Sequence, residues 1–115
     1  MKRYRAPVGE RWTDNAGEHE RVRDVVFRGD LLWSEVFYDD ERGSRGHREE
    51  LYIDEKGRYL IWRKEWSMWI GEPTTMSIEE IPKEALKLGG QYEYLGRQIG
   101  LQEAVPLDDY LKEKI

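Results

Sequence analysis

The chain of 115 residues carries 19 basic and 24 acidic side chains, a net charge of −5, no cysteine and a 12% share of aromatic residues. The missing cysteines exclude disulfides, thiolate metal sites and cysteine nucleophiles. The acidic balance lacks the basic excess that is typical of non-specific nucleic-acid binding, and the aromatic content argues against a disordered chain.

The N-terminal charges are not followed by an apolar run, and no later stretch is long enough to cross a bilayer. We therefore expect a cytoplasmic protein without membrane contact. It is predicted to form a single domain over residues 1–115, strand-rich over 1–81 and helical over 82–115. No cofactor and no metal site are expected.

The first 18 residues are interpreted as mostly irregular, because Pro7, Gly9 and Gly17 interrupt them, with a short strand at Lys2–Arg5. The region interleaves basic and aromatic side chains: Lys2, Arg3, Tyr4, Arg5, Arg11 and Trp12. Such a mixture can contact nucleic acid or an acidic partner. A terminal strand with packed aromatics and solvated arginines is the preferred interpretation.

A strand at Glu20–Arg28, a turn at Gly29–Asp30 and a second strand at Leu31–Tyr38 follow. The second strand has apolar residues on both faces, which is typical of a strand covered on each side. His19, between Glu18 and Glu20, has the composition of a metal site. On a strand, however, both glutamates point away from the histidine, which favours a surface histidine.

Residues Asp39–Glu50 form a polar stretch without periodicity and are predicted to be a loop. This loop contains glycines, three arginines (Arg42, Arg45 and Arg48) and His47. Such a loop can hold a phosphate, with His47 as general acid or base and Arg45 or Arg48 stabilising a phosphorane. The alternative, a solvated loop whose acids outnumber its bases, is preferred.

The stretch Leu51–Gly71 predicts a long β-hairpin that turns at Asp54–Gly57. In its second strand one set of alternate residues is apolar and is assigned to the core: Leu60, Trp62, Trp66, Met68 and Ile70. The other set is more polar and includes three candidate binding residues: Tyr59, Arg63 and Trp69. Arg63–Glu65 interrupts the pattern, so a bulge or bend is expected there.

After Gly71–Pro73, a fifth strand is predicted at Thr74–Ile81, with Pro82 in the first turn of a helix. Apolar residues at helical spacing continue to Ile99, with a break at Gly89–Gly90. A last short helix after Pro106 is predicted to extend to Ile115.

The segments Tyr94–Leu101 and Val105–Glu113 resemble a helix-turn-helix with Gly100 at the turn, which would imply DNA binding. Pro106 lies early in the second helix of that resemblance, and Asp108, Asp109 and Glu113 would face phosphates. Ordinary helical packing is the preferred interpretation.

Together these patterns predict an α+β fold: an antiparallel meander of about five strands packed against two or three C-terminal helices. The leading functional hypothesis is a non-catalytic protein-interaction module, such as an inhibitor, immunity or antitoxin-like protein, or a mobile-element accessory protein. It would use the aromatic and arginine side chains Tyr59, Arg63, Trp69, Arg42 and Arg45. The alternatives are a metal-independent nuclease or phosphodiester enzyme that uses His47 and the 42–48 loop, and a nucleic-acid-binding accessory protein. A homodimer formed through a sheet edge is compatible with all three hypotheses.

Overall fold

A computed structural model describes residues 1–101 and 105–113 of the chain. Five strands come first: β1 (Lys2–Asp14), β2 (Gly17–Tyr38), β3 (Arg45–Asp54), β4 (Tyr59–Ser67) and β5 (Thr74–Ile81). They are followed by a 3-10 helix (Lys83–Leu86), α1 (Glu93–Gln98) and α2 (Leu107–Glu113). The chain divides into two compact units, Met1–Pro82 and Lys83–Ile115.

The five strands form a closed antiparallel barrel in chain order, because β1 pairs with β2 on one side and with β5 on the other. The closing contact is short: the stretch 9–11 of β1 lies opposite 74–76 of β5. The predicted open meander packed against C-terminal helices is therefore wrong. The helical elements are also short, with four, six and seven residues.

The error begins in β1, which runs for 13 residues instead of the short strand at Lys2–Arg5. Gly9 was interpreted as a breaker, but it lies within the strand at a φ of +138°. A Cβ atom at Gly9 would collide with the backbone carbonyl of Arg21 on β2. Only glycine permits this backbone conformation together with so close an approach of two strands, and this allows β1 to continue until it reaches β5.

The barrel interior contains a cluster of four buried residues: Ala6, Tyr52, Trp62 and Met76. The indole Nε1 of Trp62 donates to the carbonyl oxygen of Pro7 at 2.8 Å, so a core tryptophan is hydrogen-bonded directly to β1. Burial first, and then the nearby Glu50 carboxylate, raise the pKa of Tyr52. The phenol therefore stays neutral inside the barrel.

The hairpin of β3 and β4 is present, and its turn uses the predicted residues. The carboxylate of Asp54 accepts the backbone N–H groups of Lys56 and Arg58, and Gly57 has a φ of +80°. The expected bulge at Arg63–Glu65 is absent, because the register with both neighbouring strands is continuous there.

A register shift lies in β2 instead, between Leu31 and Trp33. The predicted turn at Gly29–Asp30 is wrong, because both residues lie within the continuous strand β2, where Gly29 pairs with Asp54 and Asp30 with Ile53 of β3. The face assignment of β4 was also incomplete. Ile61, assigned to the more polar face, is buried like its opposite neighbour Leu51 on β3.

In the second unit, Gly89 has a φ of +81° and lies with Gly90 between the 3-10 helix and α1. The predicted helical stripe is therefore interrupted at these glycines. Pro106 precedes α2 and its carbonyl accepts the N–H of Tyr110 at 3.0 Å. Ile115, which was predicted to belong to the last helix, lies outside the described residues.

Candidate functional site

One end of the barrel exposes large apolar side chains on the connection between β4 and β5. Met68, Trp69 and Ile70 are consecutive and have exposed fractions of 76%, 57% and 78%. We call these three residues the apolar loop. Tyr38, at the end of β2, is 69% exposed. Runs of exposed apolar residues are disfavoured in folded proteins unless they serve a function, because they promote association.

Met68 and Ile70 were assigned to the core, and that assignment is wrong. The strand β4 ends at Ser67, so the period-two alternation does not continue through these residues. Gly71, with a φ of +85°, and Pro73 begin the return to β5. These two residues mark the end of the connection in the sequence, but they do not show that β4 already ends at Ser67.

An ion pair braces the connection that carries the apolar loop. Arg45, at the start of β3, donates from Nε and Nη2 to the carboxylate of Glu72 at 2.9, 2.7 and 2.9 Å. The Ser67 hydroxyl donates to the same carboxylate at 2.8 Å. Arg45, and then Ser67, hold the pKa of Glu72 below its usual value. Two-point contacts of this kind fix orientation as well as distance.

Backbone hydrogen bonds hold the same connection at two further points. The N–H of Met68 donates to the carbonyl of Ser44 at 2.9 Å, and the N–H of Gly71 donates to the carbonyl of Thr13 at 3.0 Å. The apolar loop is thus attached both to the β2–β3 connection and to β1. Its backbone is hydrogen-bonded on both sides of the three exposed side chains.

Trp69, one of the predicted binding residues, lies beyond the end of β4 and is oriented by three neighbours. Its ring packs against the guanidinium of Arg45, whose Cζ atom lies 5.6 Å from the ring centroid. Its Nε1 donates to the Ser44 hydroxyl at 3.3 Å, and its backbone N–H donates to the Ser67 hydroxyl at 3.1 Å. The indole is therefore both exposed and held in place.

A second aromatic group, Tyr38 and Trp66, lies beside the β2–β3 connection. The Tyr38 ring meets the Trp66 ring edge-on, with centroids 5.8 Å apart. Trp66 Nε1 donates to the carbonyl of Gly43, the residue before Ser44. Trp66 also covers Gly46, where a Cβ atom would collide with the indole and with the carbonyl of Phe37. Tyr38 had not been predicted as a site residue.

A cleft of about 600 Å³ lies between the apolar loop and the turn that joins β1 and β2. Trp12 lines its opposite wall, stacked on His19 at a centroid distance of 5.3 Å and with Arg21 over the ring at 5.7 Å. Asp14 bonds to His19 Nε2 at 2.9 Å. That bond, followed by the N–H of Ala16, lowers the pKa of Asp14. The volume of the cleft between the apolar loop and the β1–β2 turn is in the range of ligand-binding clefts.

His47 lines a second cleft of about 480 Å³, together with Arg45 and Arg63. Its ring stacks on Phe37 at 4.6 Å, and carboxylate oxygens of Asp39 and Glu49 lie 3.9 and 3.6 Å from its two nitrogens. The imidazole thus has two acidic neighbours, which attract a cation more readily than a phosphate.

The structure does not bring all the predicted catalytic residues together. Arg45 and His47 lie on one face of β3, whereas Arg48 lies on the other, where it bonds to Ser34 at 3.1 Å and approaches Glu50 at 3.6 Å. Because β3 is a strand at these positions, neighbouring side chains alternate between faces. A phosphate held by His47 is therefore out of reach of Arg48.

The other predicted binding residues are dispersed. Arg63 lies within 3.8 Å of Glu49 and 3.2 Å of Glu65. The Nε atom of Arg63 is buried and has no hydrogen-bond partner. Its contact with Glu65 is therefore an ion pair without a hydrogen bond. Arg42 is exposed in the β2–β3 connection, and Tyr59 lies at the far end of β4 from the apolar loop.

Comparisons with protein-family models, with curated proteins and with solved structures found no match to this chain. Within residues 1–101 and 105–113, no three histidine or acidic side chains are grouped so that they could hold a metal ion. Over the same part of the chain, no helix has the length and apolar character needed to span a membrane.

Proposed function

We propose that this protein is a small binding module that recognises another protein through the apolar loop and Tyr38. The observation that carries the proposal is the run Met68–Ile70, exposed on a connection that an ion pair and backbone hydrogen bonds attach to the neighbouring strands and loops. Protein interfaces obtain most of their binding energy from a few Trp, Tyr and Arg residues, surrounded by contacts that exclude water.

The order of the loop strengthens this proposal. A binding segment that is flexible before association loses conformational entropy when it binds, whereas a braced segment has lost most of it already. Arg45 contributes twice, because it packs on the Trp69 ring and holds Glu72. The absence of cysteine is consistent with a partner in a reducing compartment such as the cytoplasm.

The partner is expected to offer an apolar pocket for Trp69 and aliphatic contacts for Met68 and Ile70. It can be isolated from the native host with the wild-type protein as bait, then purified for calorimetry. We expect Trp69→Ala to weaken the measured affinity by roughly thirtyfold or more, as substitutions of central interface tryptophans do. Ile70→Ala is expected to weaken it several-fold.

The matched control is Leu88→Ala in the second unit, because Leu88 and Ile70 are both 78% exposed. This variant should bind the partner as tightly as the wild type. Circular dichroism of every variant confirms that the barrel is intact. Equal affinities for the wild type and Trp69→Ala would reject the proposal. Trp69-dependent binding to phospholipid vesicles, with no protein bound, would show that the loop is a membrane contact instead.

A further inference from the structure

Two arginines lie opposite each other near the start of β1, away from the apolar loop. Arg3 on β1 lies directly opposite Arg28 on β2 in the hairpin register, and both are exposed. Residues opposite each other on antiparallel strands project from the same face with Cβ atoms about 5 Å apart, and like charges there destabilise the sheet. The pair is therefore unfavourable unless an anion accompanies it.

Within the described residues no carboxylate forms an ion pair with Arg3 or Arg28, and this includes Glu55, whose backbone N–H donates to the Arg28 carbonyl at 2.9 Å. Asp24 lies 3.2 Å from Arg5, and Asp30 lies 3.8 Å from the N-terminal ammonium group. Most other arginines in the described part of the chain have a carboxylate partner: Arg5, Arg11, Arg45, Arg48, Arg58, Arg63 and Arg97. Arg3 and Arg28 take part in none of these pairs, although acids outnumber bases in the sequence.

We propose that Arg3 and Arg28 form a binding site for a phosphate dianion, either free or at the terminus of a small ligand. A guanidinium group donates two parallel hydrogen bonds to phosphate oxygens, and two such groups match the two charges of the dianion. The aromatic residues that follow Arg3 and precede Arg28, Tyr4 and Phe27, pack against the core and stack on each other. They offer no exposed platform for a base, and single-stranded nucleic acids bind largely by stacking on such platforms.

The test uses the full-length protein in buffer of low ionic strength, with inorganic phosphate as the probe and NMR shifts of the arginine side chains as the readout. We expect the dissociation constant for phosphate to rise about tenfold or more in Arg3→Gln and in Arg28→Gln. The matched control is Arg23→Gln. Arg23 is also exposed on β2 but lies opposite Val8, so its loss should leave the constant nearly unchanged.

Thermal unfolding gives a second readout that depends on repulsion within the pair. Without phosphate, Arg28→Gln should unfold at a higher temperature than the wild type, because the like-charge contact is gone. Phosphate should raise the midpoint of the wild type but not that of the variant. These substitutions lie outside the apolar loop, so their outcome is independent of the proposed protein binding.

Three results would overturn the phosphate site. An equal loss of affinity in Arg23→Gln would show that only net charge matters. Tighter binding of an eight-residue oligothymidylate than of phosphate would show a nucleic-acid surface instead. The absence of phosphate-dependent shifts at Arg3 and Arg28 would show that the pair binds no phosphate.

Discussion

Asp54 places a carboxylate at the end of β3 where only 2% of the residue is exposed. It accepts the backbone N–H groups of Lys56 and Arg58 at 3.0 and 2.8 Å, and the Nε of Arg58 at 2.7 Å. Burial alone would raise the pKa of Asp54, but these hydrogen bonds, that of the Arg58 backbone foremost, hold it below its usual value. The charged form is therefore the one that the fold stabilises.

The pKa of Asp54 is lower in the folded chain than in the unfolded chain. The charge of Asp54 therefore adds fully to the free energy of unfolding above the ordinary pKa of 3.8, and this addition is lost as the pH falls through the pKa of the folded chain. We expect Asp54→Asn to lower the free energy of unfolding by about 2 kcal/mol near neutral pH. Urea unfolding across the acid range should show this difference shrinking. Asp109→Asn, an exposed control, should unfold like the wild type. A pH-independent difference would show that the Asp54 charge is not the cause.

At the scale of elements, the local patterns in the sequence predicted β5 and one hairpin turn correctly and missed most of β1 and half of β3. The strand β5 begins and ends as predicted, and the turn at Asp54–Gly57 uses the expected chemistry, because both depend on neighbouring residues. The first half of β3 was missed. Arg48 bonds to Ser34 and His47 stacks on Phe37. These polar residues of β3 are stabilised by side chains on β2, and a local sequence pattern does not reveal such distant partners.

The candidate site was predictable to a similar degree. Trp69 was identified as an exposed residue from its polar neighbours, and it is exposed. The sequence does not show which residues join it. Tyr38 is 31 positions away, and Arg45 reaches Glu72 across 27 positions. The side-by-side pairing of β2, β3 and β4 places these chain segments together.

The Arg45–Glu72 ion pair should determine how rigid the apolar loop is. Glu72→Gln retains the shape of the side chain but removes its charge, so we expect amide exchange at Met68 and Gly71 to become several-fold faster. The lowered pKa of Glu72 implies that the brace is present above the ordinary value of 4.5 and is lost as the pH falls through the folded value.

The control for this prediction is Glu93→Gln, which removes an ion pair with Arg97 of the same length, 2.7 Å, in the second unit. It should leave exchange at Met68 and Gly71 unchanged. Exchange in Glu72→Gln that matches the wild type would show that the backbone bonds to Ser44 and Thr13 order the loop without the ion pair.

At the scale of the whole barrel, closure depends on segments that are far apart in the sequence. The strands β1 and β5 pair over three residues each, and the first of these pairs is Gly9 with Met76. Ordering the intervening chain costs entropy before that contact forms. Trp62 strengthens the junction from inside, because it packs with Met76 and Ala6 and donates to the carbonyl of Pro7.

We therefore expect Trp62→Phe to lower the free energy of unfolding by about 3 kcal/mol, because it removes buried aromatic volume and leaves the Pro7 carbonyl without its donor. Trp69→Phe makes the same chemical change at an exposed position and should leave stability nearly unchanged. Urea denaturation followed by far-UV circular dichroism measures both without relying on tryptophan fluorescence. Hydrogen exchange should show the amides of 9–11 and 74–76 opening first in Trp62→Phe. Equal stability of the two variants would show that the indole–Pro7 contact does not hold the barrel closed.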